Sequence, residues 1–240
     1  MITVLYYSSN KVAEDIQRVV LKNIRGMNNP IVSVTQKPVD LGKNICIGEV
    51  GSSWLNLYKQ LKIAAETAET EYVAMAEDDC LYTQEHYDWI PPRNDTFYYN
   101  ENVWFVQWGG NHPELNGMYS NYWTDRKALS QLVCSRDILL KDIELKLKFL
   151  EGDIPIETIG EPGISKLMKA RALAKRGGHS LGMALEEYAS LLDAAKADTF
   201  RTKQPNLDIK HNKNMTGPKR GKNRTYNLEP WGEFRNVILT

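Results

Sequence analysis

Apolar positions recur with two different spacings along the first third of the chain, and each spacing predicts a different kind of element. Short apolar or β-branched runs are typical of buried strands, whereas apolar residues three or four positions apart are typical of helices. Strands are expected at residues 2–7, 31–35, 44–48 and 72–76, with helices from residue 12 to near Gly26 and over 54–68. This alternation predicts an α/β fold with a mostly parallel sheet covered by helices.

The remainder of the chain has a less regular pattern. Aromatic and β-branched runs predict further strands, some of them antiparallel, at 97–99 and 103–106, and a helix is expected over 138–150. Pro162 behind Glu161 is typical of a helix start, and helical spacing continues to about residue 195. Residues 199–227 show little periodicity and many basic side chains. We therefore expect a catalytic core over 1–160, with a helical extension and a basic loop over 161–240 that complete the same domain.

Composition and charge are those of an ordinary globular chain. The 240 residues carry 30 basic and 30 acidic side chains, so the zero net charge leaves any attraction to nucleic acid to a local patch. No apolar run approaches the roughly 18–20 residues that cross a bilayer, and the start predicts a strand rather than a signal peptide. The three cysteines are isolated from one another, which favours reduced thiols in the cytoplasm. No membrane partner is expected.

Three adjacent carboxylates, Glu77-Asp78-Asp79, directly follow the apolar run at 72–76. Charge at the end of a buried strand is costly unless a cation or a positive side chain meets it. Ligands of open α/β sheets bind beyond the carboxyl ends of the strands. The triplet therefore favours a divalent metal and a phosphate-bearing substrate, with a solvated acidic turn as the alternative.

A second polar segment lies far downstream, over residues 208–221. His211 stands there among Asn, Gly and Pro residues, followed by Lys219 and Arg220. Backbone N–H groups beside glycines, together with these two basic side chains, suit a diphosphate. The alternative is a mobile basic tail.

With the strand-end carboxylates and the His211 loop taken together, the sequence resembles the GT-A-type nucleotide-sugar glycosyltransferases. The resemblance covers residues 1–165 and the His211 loop. It implies a GT-A-like (Rossmann-like) mixed, mostly parallel sheet, and a nucleoside-diphosphate sugar, expected to be a UDP-sugar, as donor. It also places Glu77 and Asp79 at the family's Asp-x-Asp motif, where they bind a metal together with His211. Because Glu77 replaces an aspartate, Asp79 is the principal ligand of the two.

The same resemblance implies roles for the other residues of the site. Glu161 is the expected base that deprotonates the acceptor hydroxyl, with Asp125 and Glu157 as alternatives. The expected donor-binding residues are Tyr7, Ser8, Ser9, Asn10, Asp78, Lys219 and Arg220. A ligand set that mixes carboxylates with an imidazole favours Mn²⁺ over Mg²⁺.

The acceptor is expected at an aromatic and basic surface. Trp108, beside a Gly-Gly pair, is a candidate to stack on a sugar or a base, and Lys166 and Lys169 are candidates to contact a phosphate backbone. The spacing of Trp231-Gly232 after the Lys-Arg-Gly loop resembles that of bacteriophage-encoded glycosyltransferases. This likeness implies a hydroxymethylated DNA base as acceptor, and the host cytoplasm as location if the protein is viral. The alternatives are a saccharide or lipid-linked acceptor, or a non-enzymatic nucleic-acid-binding protein. A nucleotidyltransferase is disfavoured because no Gly-rich, Lys-bearing signature follows Tyr7.

Overall fold

The computed structural model describes residues 1–109, 113–121, 127–151, 161–164, 196–211 and 223–239. The elements of the first third are β1 (Ile2–Ser8), α1 (Glu14–Arg25), β2 (Ile31–Thr35), β3 (Lys43–Cys46), α2 (Trp54–Thr67) and β4 (Tyr72–Glu77). Each of them lies within a few residues of a predicted element. The predicted alternation of strands and helices is therefore confirmed.

The rest of the described chain contains more strands than the sequence predicts. Its elements are β5 (Cys80–Leu81), α3 (Gln84–Asp88), β6 (Thr96–Asn100), β7 (Val103–Gln107), β8 (Tyr119–Asn121), β9 (Leu132–Ser135), α4 (Arg136–Glu151), β10 (Lys196–Phe200), β11 (Asn206–Lys210), β12 (Asn223–Thr225) and α5 (Phe234–Leu239). The predicted strands at 97–99 and 103–106 and the helix over 138–150 are confirmed as β6, β7 and α4.

The described strands form two sheets. The larger has seven strands in the order β10-β6-β9-β4-β1-β2-β3, and the smaller has five in the order β12-β8-β7-β11-β5. In the larger sheet β9 runs antiparallel to both of its neighbours, while the other described pairs are parallel. The fold is thus an α/β fold with a mixed, mostly parallel sheet flanked by helices, as predicted.

Local sequence signals account for the helices that flank the larger sheet. Helix α1 has Glu14 and Asp15 in its first turn and basic residues in its last, which complements the helix dipole. Helix α2 begins behind Ser53, whose hydroxyl accepts a hydrogen bond from the backbone N–H of Asn56 at 3.1 Å, a typical N-cap. Among the helices that the structure describes, none combines the length and apolar composition needed to cross a membrane.

Side chains of the central strands alternate between two apolar cores. Tyr7 of β1 packs in the core that also contains residues of α2 and α4. Tyr6 packs in the second core, with residues of α1 and of the smaller sheet. Because β-strand side chains alternate faces, residues that follow one another at the carboxyl end of β1 or β4 point into different surroundings.

Strand β11 lies in a segment that the sequence pattern did not indicate as regular. Leu207 and Ile209 are fully buried in the second core. Asp208 and Lys210, on the other face of the strand, form an ion pair at 2.6 Å and are also buried. The sequence did not predict this strand because two of its five residues are charged. Composition alone does not distinguish the residues of a buried ion pair from those of a solvated surface. The predicted helical stretch over 165–195 lies outside the described residues.

Candidate active site at the carboxyl ends of β1 and β4

The parallel pairing of β1 with β4 brings two predicted groups of residues together. Tyr7 lies opposite Glu77 in the register of the two strands. The Tyr7 hydroxyl donates a hydrogen bond to Oε1 of Glu77 at 2.6 Å. One residue further on, the Ser8 hydroxyl donates to Oδ2 of Asp78 at 2.5 Å. The residues predicted to bind the donor therefore lie beside the residues predicted to bind the metal.

The chain turns sharply after β1. Asn10 has a φ of 54°, in the left-handed region that Asn tolerates better than most residues. Its backbone N–H donates to the Ser8 hydroxyl at 2.8 Å, and its side-chain oxygen accepts from the backbone N–H groups of Gln36 and Lys37. Ser9 lies between them and is half-buried. These bonds fix the 8–10 corner against the end of β2.

The downstream histidine reaches the acidic turn through β11. The backbone N–H of Ile209 donates to the carbonyl oxygen of Asp79 at 2.8 Å. As a result, Nε2 of His211 lies 3.6 Å from Oδ2 of Asp79. Glu77, Asp79 and Cys80 each place one potential ligand atom within 4.8 Å of the others. Asp79 thus belongs both to the cluster with Glu77 and to the contact with His211, while the ligand set of Glu77, Asp79 and His211 stays a prediction.

Cys80 is the third residue of this cluster. Its side chain is buried, and its Sγ lies 3.6 Å from Oδ1 of Asp79 as a thiol donor. Burial, followed by the charge of Asp79, raises the pKa of the Cys80 thiol well above its usual range. A metal ligand or nucleophile needs the thiolate, so these surroundings favour a protonated, packing thiol.

The carboxylates of the turn lie in surroundings that disfavour their charge. Burial, followed by the charge of Asp79, raises the pKa of Glu77 to about 8, although the hydrogen bond from Tyr7 opposes this shift. Burial and Asp79 likewise raise the pKa of Asp78 to about 6. A bound cation would stabilise the charged forms. The electrostatics of the turn therefore fit a divalent ion.

One nearby carboxylate already has a cationic partner. Asp208 forms the buried ion pair with Lys210, and the Lys210 Nζ lies 4.9 Å from the centre of the Phe105 ring. The charge of Asp208 also contributes to the raised pKa of Glu77. The positive charge of Lys210 is therefore paired with the negative charge of Asp208. The Glu77–Asp79 turn is the more negatively charged part of the site.

The predicted base, Glu161, lies in a turn that packs on β6. The hydroxyl of Tyr99 donates to the carbonyl oxygen of Pro162 at 2.5 Å. Gly163 has a φ of 71°, and a Cβ built there would lie 2.7 Å from Cδ2 of Phe97. The turn is thus held by one hydrogen bond and by a close approach that requires glycine.

The charge of Glu161 reaches the acidic turn. It contributes to the raised pKa of Glu77 and to that of Tyr7, whose largest cause is burial. The turn of Glu161 lies on the side of the sheet where Tyr7 packs, because its Ile164 contacts the same core.

Trp108 follows β7 and lies next to the end of β11. Its backbone N–H donates to the carbonyl oxygen of Lys210 at 2.9 Å. Its indole N–H donates to Oδ2 of Asp15 at 2.8 Å, and its ring meets Phe234 edge-on with centroids 5.6 Å apart. These contacts fix the half-buried indole on α1 and α5, while its role toward an acceptor stays a prediction.

Several predicted residues lie outside the described part of the chain. They are Lys166 and Lys169 of the acceptor surface, Lys219 and Arg220 of the diphosphate loop, and the alternative bases Asp125 and Glu157.

One residue that supports the site was missed. Gln60 of α2 is buried, and its side-chain amide donates to the carbonyl oxygens of Ser8 at 2.9 Å and Val34 at 2.8 Å. It therefore ties the helix to the ends of β1 and β2. The available signal was a polar residue at helical spacing between the apolar Leu57 and Ala64.

Comparison with known proteins adds distant structural similarities. No family model matches the chain, and no curated protein matches it. A glycosyltransferase involved in the glycosylation of the major capsid of PBCV-1 is 10% identical, over 91% of this chain and 94% of that one, with a TM-score of 0.44. S. aureus TarS 1-349 in complex with UDP is 10% identical, over 87% of this chain and 60% of that one, with a TM-score of 0.41.

A nucleotidyl transferase from Methanothermobacter thermautotroptrophicus is 12% identical over 63% of this chain and 83% of that one, with a TM-score of 0.36. The chain thus spans less than two thirds of the staphylococcal structure and most of the other two. These likenesses are too distant to assign a function. The fold and the polar sheet edge define an α/β protein with a candidate ligand site beyond the carboxyl ends of its central strands.

Proposed function

We propose that the protein is a metal-dependent glycosyltransferase that moves a sugar from a nucleoside-diphosphate sugar to an acceptor hydroxyl. The observation that carries this proposal is the meeting of β1, β4 and β11 at one edge, where Nε2 of His211 lies 3.6 Å from Oδ2 of Asp79. The Ser8–Asp78 hydrogen bond lies beside that pair. The proposed metal ligands and the polar end of β1 are therefore neighbours, and this arrangement supports the binding of a nucleoside diphosphate.

The proposed metal ligands are Glu77, Asp79 and His211. Their mixture of oxygen and nitrogen donors suits Mn²⁺ better than Mg²⁺. When bound, the ion supplies Lewis-acid neutralisation of the charge on the departing nucleoside diphosphate.

The donor would occupy the corner after β1. Ser8, Ser9 and Asn10 would contact the nucleoside, and Asp78 the ribose or the transferred sugar. Tyr7 is 5% exposed and its hydroxyl is bound to Glu77, so its contribution to donor binding is indirect. Lys219 and Arg220 would add positive charge beside the diphosphate.

Glu161 would act on the acceptor. Its carboxylate takes the proton of the acceptor hydroxyl while the acceptor oxygen bonds to the anomeric carbon and the bond from that carbon to the diphosphate breaks. The support for this role is that its charge reaches Glu77 from the turn held by Tyr99.

The proposed acceptor is a hydroxymethylated DNA base, with a saccharide or lipid-linked sugar as the alternative. Support comes from the sequence, in which Lys166 and Lys169 belong to a basic helical pattern, and from the position of Trp108 beside β11. Mass spectrometry of an oligonucleotide containing hydroxymethylcytosine, incubated with each donor, would detect the transfer. An unmodified oligonucleotide is the control.

Incubation with a panel of nucleotide sugars and Mn²⁺ tests the proposal through the slow release of nucleoside diphosphate. We expect release from one donor class, its loss with EDTA and its return with Mn²⁺. The D79N variant should lose about 100-fold or more, because even outer partners of metal ligands contribute 10–100-fold. D137N is the matched control, because the Asp137 side chain is 80% exposed. It lies in the first turn of α4, two residues after Ser135, which pairs with Tyr72 at the start of β4 and so at the opposite end of that strand from Glu77.

No release from any donor would count against the glycosyltransferase. A non-enzymatic nucleic-acid-binding protein would keep its DNA affinity in D79N and show no turnover. Pyrophosphate release from a nucleoside triphosphate and a sugar phosphate would instead indicate a nucleotidyltransferase.

A further inference from the structure

We infer that Tyr7 is a positioning residue of the metal site, and that it acts by holding the carboxylate of Glu77. This inference rests on the proposed function and deepens it, because it concerns whether and how Glu77 serves as a ligand. In sequence Glu77 stands where an aspartate is expected, and its longer side chain has one more rotatable bond to fix. The structure supplies the group that fixes it.

Sheet register places the two residues together. Tyr7 and Glu77 are opposite one another on adjoining parallel strands, so their side chains lie on the same face. The hydroxyl donates to Oε1 at 2.6 Å. The Tyr7 ring is packed in the core between the sheet and helices α2 and α4 and is 5% exposed. The donor therefore has little freedom to move away.

The backbone of Glu77 is held by a second tyrosine. Its N–H donates to the hydroxyl of Tyr82 at 3.1 Å, and Tyr82 is fully buried against the aromatic rings of His86 and Tyr87. One tyrosine thus fixes the main chain of Glu77 and the other fixes its carboxylate. Two buried, rigid tyrosine hydroxyls therefore hydrogen-bond to one half-buried acid. Hydrogen bonds of this kind, from groups that do not themselves touch the ion, typically orient metal ligands.

The hydrogen bond from Tyr7 leaves one carboxylate oxygen of Glu77 available to bind a metal. It uses Oε1, so Oε2 would remain for an ion held together with Asp79 and His211. One carboxylate oxygen of Glu77 lies within 4.8 Å of ligand atoms of Asp79 and Cys80. Without the Tyr7 hydroxyl, Glu77 would have to give up rotamer entropy when the ion binds, and the metal affinity would fall.

Direct binding of Mn²⁺ tests this inference without a substrate. Titration calorimetry or Mn²⁺ electron paramagnetic resonance on the full chain would give the Kd of the wild type, Y7F, E77Q and Y7F/E77Q. We expect Y7F to weaken binding about tenfold, as loss of an outer partner does. In the E77Q background the same change should have little further effect, since both substitutions act through one ligand.

Y119F is the matched control. It removes a hydroxyl from a fully buried tyrosine that has no hydrogen-bond partner within the described residues, so its Kd should stay within about twofold of the wild type. Thermal unfolding of each variant without metal would verify folding. A small loss of stability in Y7F does not by itself change the metal Kd, because both measurements are made on the folded protein.

The outcomes separate the inference from the proposed function. If D79N abolishes Mn²⁺ binding while Y7F binds like the wild type, the metal site stands and the role of Tyr7 is wrong. Equal, additive losses from Y7F and E77Q would also overturn it. If the wild type binds no Mn²⁺, both the inference and the proposed metal dependence fail.

Discussion

The backbone N–H of Ile209 donates to the backbone carbonyl of Asp79 at 2.8 Å, and this bond joins the end of β11 to the acidic turn. It fixes the main chain two residues before His211. The position of the imidazole is therefore set by strand pairing rather than by a mobile tail. A side chain held in this way is pre-organised, and its chemistry can be tested separately from its position.

His211 is expected to set the preference between metals. In H211N the imidazole is replaced by an amide, so Mn²⁺ affinity should fall about 10–100-fold while Mg²⁺ affinity, which depends on oxygen ligands, changes less. Competition between the two ions, followed by the Mn²⁺ resonance signal, measures both. The Mg²⁺ arm is the control within the same protein. Equal losses for both ions would show that His211 supports the fold of the turn instead of binding the ion.

Gln60 is expected to stabilise the donor corner. Its side-chain amide bonds to the carbonyl oxygens of Ser8 and Val34. Q60M keeps the length of the side chain but leaves both carbonyls without this donor, so the free energy of unfolding should fall by about 2 kcal/mol. Urea denaturation measures this loss. K59M on the same helix, where the Lys59 side chain is 47% exposed, should change it by less than about 0.5 kcal/mol.

The role of Gln60 can also be tested by measuring the binding of a ligand. If the amide fixes the ends of β1 and β2, Q60M should also weaken the binding of the donor's nucleoside diphosphate, measured by calorimetry below the unfolding transition. Unchanged affinity together with lower stability would assign Gln60 to the fold alone.

Removing one partner of the buried ion pair of α4 is expected to destabilise the fold strongly, whereas replacing both partners with apolar residues is expected to change its stability little. Lys146 is fully buried, its Nζ lies 2.5 Å from Oδ2 of Asp142, and it stacks over the Tyr58 ring at 5.2 Å. K146M leaves a buried carboxylate alone and should destabilise the protein by about 3–5 kcal/mol, whereas D142L/K146M should recover most of that loss. The half-buried Lys62, whose Nζ lies near the exposed carboxylates of Glu66 and Glu144, gives the control, since K62M should cost less than about 1 kcal/mol.

A different result would change the interpretation of this pair. If the double variant stays as unstable as K146M, the two charges are needed for more than their mutual attraction. The burial that raises the pKa of Asp142 also predicts that the K146M loss is smaller at low pH, where the lone carboxyl takes up a proton.

Sequence patterns predicted the parts of the site that depend on position along a strand, and missed those that depend on partners across strands. Ser8 and Asp79 were predicted as site residues because polar residues follow apolar runs at these two places. His211 was found by its residue type, although its strand was missed because Asp208 and Lys210 are charged. The role of Tyr7 depends on the register that places it opposite Glu77, and a single sequence does not contain that register.

His86 is expected to make the stability of the fold depend on pH. It is fully buried against Phe200, and burial lowers its pKa to about 3. The unfolded imidazole has a pKa of about 6.5, so the neutral form is favoured in the folded state. The stabilisation is therefore complete above about pH 6.5 and is lost as the pH falls toward 3. Between pH 7 and pH 5 this one group should remove about 2 kcal/mol from the free energy of unfolding.

H86F isolates this contribution. Phenylalanine keeps an aromatic ring against Phe200, and the Asn100 amide that faces the imidazole keeps its bond to Thr202 at 2.9 Å. Urea denaturation at pH 7 and pH 5 should show a smaller loss in H86F than in the wild type, by about 2 kcal/mol. Every other titrating group is present in both proteins, so the difference belongs to position 86. Identical pH dependence would mean that the buried imidazole accepts its proton at nearly the same pH folded and unfolded, which a fully desolvated ring without an acidic partner should not do.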